Sequence, residues 1–124
     1  MIAPSAALLF AALCTFLAGF HLALAGGAPL GHLTMGGQWP GRLPRRARLL
    51  SVVQIGIVAA MAVVVLARAG VIGLAAPGWA FWTVIALCGL TLAANAASRS
   101  RPERRLGVPV ALLLLLSGLV AGLA

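Results

Sequence analysis

Acidic residues are almost missing from this chain: Glu103 is the single Asp or Glu in 124 residues. Lysine and tyrosine are absent altogether. One acid excludes paired-carboxylate catalysis, and nothing in the chain pairs a nucleophile with an oriented base, so no catalytic residue is expected. Cysteine is scarce as well. Cys14 and Cys88 each lie inside an apolar run, with no histidine or cysteine at metal-ligand spacing, and they read as small core residues. No polar stretch is long enough for a separate soluble unit, so residues 1–124 read as one domain.

Charged residues make up 8% of the chain, against roughly 25% in a soluble domain. So few charges cannot cover a water-facing surface. The chain is 63% hydrophobic with a mean hydropathy of +1.14, which is the composition of a membrane protein. Four apolar stretches are long enough to cross a hydrocarbon core: about 8–25, 49–67, 78–97 and 107–124. A signal peptide cleaved after Ala23-Leu24-Ala25 competes for the first, but no basic residue precedes the apolar run, which favours a retained span. Trp79, Phe81 and Trp82 at the start of the third span mark a membrane interface.

Nine arginines give a formal net charge of +8. Such a balance raises nucleic acid as a partner. These arginines, however, flank the spans: Arg42, Arg45, Arg46 and Arg48 before the second, Arg99, Arg101, Arg104 and Arg105 before the fourth. That placement fits topology signals and anionic lipid headgroups, not nucleic acid. Only Arg68 falls on the other side. The positive-inside bias then puts both arginine clusters in the cytoplasm and both termini outside, in a bacterial inner membrane. The expected fold is an all-α membrane protein: four transmembrane helices in an antiparallel bundle, with the first loop packed at the cytoplasmic interface. Pro102 is expected to keep residues 98–106 non-helical.

Two packing patterns stand out. Ala3, Ala7, Ala11, Thr15, Gly19, Ala23 and Gly27 recur every fourth residue and predict a small-residue stripe on the first helix. Gly118 and Gly122 form a GxxxG pair on the fourth.

Polar residues within the spans are few, and topology gives them a common depth. His21 lies near the end of the first span, Gln54 near the start of the second and Asn95 near the end of the third, all on the arginine side. Polar groups in lipid need partners, so His21, Gln54 and Asn95 are expected to form a hydrogen-bonded cluster: interhelical glue, or a binding or proton-handling site. A haem or metal site is not expected, because His21 and His32 are separated by glycines and a proline and no acid or cysteine completes a set. The first loop is too apolar for a solvated linker. Its His32 lies between glycines, Trp39 fits the headgroup level, and the arginines reach lipid phosphates or a partner.

From His21 to Pro44 the chain reads H-x-x-L-A-x-G-x-P-x-G-H-L-x-x-G-G-x-W-P-G-x-L-P. This resembles the first-loop signature of a group of small, uncharacterised bacterial four-helix membrane proteins. The resemblance implies a shared fold and carries no activity. Four spans in this length also resemble the small multidrug-resistance transporters, which use a membrane-embedded glutamate in the first helix. Here the first span has no acid, and Glu103 is expected in a loop. The expected function is therefore a non-enzymatic accessory, assembly or structural subunit, with other membrane subunits or a second copy as partner and no cofactor. A small transporter or channel with a polar cluster is the alternative.

Overall fold

The structure is a computed structural model and describes residues 2–124. Four helices account for most of it: α1 (Ile2–Ala25), α2 (Arg45–Arg68), α3 (Gly78–Ala96) and α4 (Arg101–Leu123). All four are long and apolar enough to cross a membrane. The bundle runs up and down, so the first and third connections meet at one end. At the opposite end lie the α2–α3 connection and the described ends of α1 and α4.

Three helices begin earlier than their hydropathy suggests. α1 starts at residue 2, not 8; α2 at Arg45, not 49; α4 at Arg101, not 107. Arg45, Arg46 and Arg48 therefore lie on the first turn of α2, outside the loop, and Arg101, Arg104 and Arg105 begin α4. Hydropathy marks only the lipid-immersed part of a helix, while a guanidinium on a long stem stays wet in the headgroup zone. Pro102 does not stop the helix. It occupies the first turn of α4, where a missing N–H is no loss. Ser100 caps that helix, accepting a hydrogen bond from the Glu103 N–H at 3.3 Å.

α1 packs against α2 and α4, and α4 against α3, whereas α2 and α3 barely touch. The helices thus stand in the order α2, α1, α4, α3, with a loose fourth seam. The tight core lies in the half nearer the termini. There Ala7, Phe10 and Cys14 of α1 meet Val58, Met61 and Val65 of α2, Val84 and Cys88 of α3, and Leu114 and Ala121 of α4. Glycine makes the closest approaches possible. A Cβ on Gly118 would stand 3.2 Å from the Phe10 ring, and one on Gly122 would stand 2.1 Å from Phe81. The GxxxG pair is thus a close-contact face, but it receives aromatic rings from two helices instead of a helix backbone.

The α1 stripe does not behave as a continuous seam. Ala7 is buried, but Thr15 and Gly19 are exposed. Residues four apart advance by about 40° around a helix of 3.6 residues per turn, so the row winds off the interface.

Helix ends are held by side chains from neighbours. Arg48 Nε donates to the Ala25 carbonyl at 3.0 Å, and Arg68 Nε to the Gly122 carbonyl at 3.2 Å. Each places a cation at a helix C-terminus, where the backbone dipole favours it. The Arg68 guanidinium also lies 4.6 Å from the Phe81 ring centre. Exposed Trp79 and Trp82 sit at that end and exposed Trp39 at the other, as expected of two membrane interfaces. Only 17–28% of the most apolar window of each helix is buried in the bundle, so lipid must cover the rest.

Candidate functional site

The arginine-rich half of the bundle is hollow. A cavity of about 490 Å³ lies between all four helices, and the first loop closes its end. Such a volume is within the range of small-molecule sites.

The loop reaches this position through unusual backbone. Met35, Gly36 and Gly37 all have positive φ, at 52°, 68° and 73°. Glycine adopts that conformation freely; for Met35 it carries strain of order 1–3 kcal/mol. Met35 is held there because its side chain packs beside Leu24, Leu43 and Ala47. The sharp turn aims the Gly36 N–H at Glu103, whose two carboxylate oxygens accept at 3.3 and 3.4 Å. The Ser100 hydroxyl donates to the His32 carbonyl. Gly31 N–H donates to the Gly41 carbonyl at 2.7 Å, closing the loop on itself. A Cβ at Gly31 would lie 1.8 Å from the Trp39 carbonyl oxygen, so only glycine fits.

Glu103 is therefore not a loop residue. It sits on the first turn of α4, is 7% exposed, and lines the cavity. Ser100-x-x-Glu103 has the spacing of a capping box, in which the acid would fold back onto the Ser100 N–H. Here Ser98 Oγ accepts from that N–H instead, at 3.1 Å, and the Glu103 carboxylate is free to latch the loop.

His21, Gln54 and Asn95 all line the same cavity, from α1, α2 and α3. Among the described residues no hydrogen bond joins one of these side chains to another. The expected bonded cluster is instead a ring of separated polar groups around a hollow. The Nδ1 of His21 is buried without a partner, and the His21 ring meets Phe20 edge-on with centres 5.5 Å apart. Asn95 lies against α4, where Gly107 makes room: a Cβ there would be 2.7 Å from the Asn95 amide carbon. Thr34, Thr91 and Ser98 complete the polar part of the lining, and none of the nine arginines contributes to it.

No family model, curated protein or solved structure matches the chain. The site is thus read from its own chemistry.

The remaining expected site residues lie elsewhere. His32 is in a single 3₁₀ turn, Gly31–Leu33, and touches the latch through its backbone. Trp39 is exposed on the loop. Arg42 packs over Gly27, and Arg45 and Arg48 border a separate surface groove with Ala25, Leu49 and Val52. Among the described residues no three His, Cys, Asp or Glu side chains group as metal ligands would. Leu50 and Ile57 of α2 and Leu87 and Leu90 of α3 line the cavity and are exposed, so the hollow opens along the loose α2–α3 seam.

Proposed function

We propose that this chain is a non-enzymatic protein of the bacterial inner membrane that binds a small ligand inside its bundle. It serves as a carrier, or as the ligand-binding subunit of a larger membrane assembly or homo-oligomer. One observation carries this: polar side chains from three helices converge, unbonded to each other, on one loop-capped hollow in an otherwise apolar bundle. Structural glue would pair those groups across the helix interfaces. A binding site leaves them pointing into shared space. The opening on the α2–α3 seam gives a route from the bilayer.

Native mass spectrometry of protein released from its membranes tests this. A small bound adduct is expected, and Ala94→Phe, which puts a ring at the exposed α3 rim of the cavity, should weaken it while the protein stays folded. A wild-type protein that carries no adduct would refute the proposal.

A second possibility has its own support. α2 and α3 touch little, and their seam exposes Leu50, Ile57, Leu87 and Leu90 to a partner's helix. A stoichiometric membrane subunit recovered in place of a small adduct would favour it. In either case both termini lie outside the cytoplasm, with eight arginines against one on the inner side. Reporter fusions at the two ends check this; an internal signal from either would overturn the orientation.

A further inference from the structure

Taking the hollow as the binding site proposed above, we infer that its ligand is an uncharged single-chain amphiphile, with a hydroxyl or carboxamide head at the arginine-rich end and its chain towards the bundle centre.

The polar groups are confined to one end. His21, Gln54 and Asn95 offer an imidazole and two carboxamides, and each carboxamide both donates and accepts. His21 borders the hollow, but its Nδ1 is sealed within the bundle without a partner, so the head's hydrogen bonds fall chiefly to the two carboxamides. A hydroxyl or amide head satisfies such a set, because it too donates and accepts. The other end of the hollow is walled by Ile57, Met61, Leu87, Val110 and Leu114, which offer only apolar contact. From Gln54 to Met61 the α2 wall rises about 10 Å, enough for a short alkyl chain.

Charged heads are disfavoured in both directions. A carboxylate or phosphate would enter a low-dielectric space whose one ionisable acid, Glu103, repels it, and no arginine lines the hollow to compensate. A cation would need Glu103 as counter-ion. That carboxylate already accepts from the Gly36 N–H with both oxygens. Drawing it to a ligand cation would release the loop.

The test uses the whole chain in phosphatidylcholine nanodiscs and three photoreactive probes. All carry one octyl chain with the same diazirine and differ only in the head: hydroxyl, carboxylate or trimethylammonium. Labelling is mapped to residues by mass spectrometry, with lipid-facing Leu49 and Leu112 as the background. The hydroxyl probe should label Met61 and Leu114 well above that background, and the two charged probes should not. Gln54→Leu should lower the hydroxyl labelling about three- to tenfold, as expected for one lost hydrogen bond. Asn95→Asp, nearly identical in shape, should move the preference to the trimethylammonium probe. Wild-type labelling by a charged probe equal to or above the hydroxyl probe overturns the ligand class while leaving the binding site standing. Labelling at background by all three probes overturns both.

Discussion

Removing the Glu103 carboxylate should unlatch the first loop without unfolding the bundle. In Glu103→Ala the Gly36 N–H loses its acceptor. Hydrogen bonds to charged groups contribute about 1.5–3 kcal/mol. At 3.3 and 3.4 Å the two contacts are longer than the usual 2.9–3.0 Å, which places this latch near the low end, at about 1.5 kcal/mol. That corresponds to a roughly tenfold rise in the loop-opening equilibrium. Amide hydrogen exchange in nanodiscs reads it directly, because a backbone N–H exchanges when its local structure opens. Peptides covering residues 31–41 should exchange about tenfold faster in Glu103→Ala, while peptides from the core of α2 keep the wild-type rate. Glu103→Gln retains an acceptor oxygen at the same place and should stay within about threefold of wild type. The latch is refuted if residues 31–41 exchange at the wild-type rate in Glu103→Ala. It is equally refuted if the α2 core accelerates to the same degree, since the carboxylate would then stabilise the whole bundle and not the loop.

Further outcomes follow from the close approaches and the caps. Gly122→Ala drives a methyl into the Phe81 ring and should cost about 1–3 kcal/mol in a reversible unfolding assay; adding Phe81→Ala should remove most of that coupling if the clash is the cause. Gly31→Ala meets carbonyl oxygens that cannot move away, so limited proteolysis should cut within 31–41 far faster, with the helices remaining protected. Ser100→Ala removes the α4 cap and the bond to the His32 carbonyl, and should lower stability by about 0.5–2 kcal/mol, with faster exchange in both segments. Arg68→Gln loses the contact with the Phe81 ring at an exposed site; a loss of about 0.5–1 kcal/mol is expected, and an unchanged midpoint would show that the cation contributes nothing there.

Helix number, type and order were legible because a bilayer demands long apolar stretches and little else imitates them. The helix starts were not, for a physical reason. Arginines at 45, 46, 48, 101, 104 and 105 look like solvated loop, yet a membrane helix continues through the headgroup layer, where charge is welcome. The Ser100–Glu103 spacing did carry a readable start signal. The shared depth of His21, Gln54 and Asn95 was also readable. What spacing alone could not convey is the hollow between them. Depth along a helix says nothing about how far neighbouring helices stand apart, and that depends on side-chain volumes packed from several elements at once. The burial of Glu103 was hidden for the same reason. It depends on a left-handed turn at Met35–Gly37, nearly seventy residues away.

The loose α2–α3 seam bears on how the chain is assembled during synthesis. Neighbours in sequence are here near-strangers in space, so the molecule consists of two hairpins, α1–α2 and α3–α4, whose principal meeting is α1 with α4. The first pair can insert and settle before the second leaves the ribosome. A gene split within residues 69–77 would leave that meeting untouched, and the two halves, produced separately, should find each other in the bilayer.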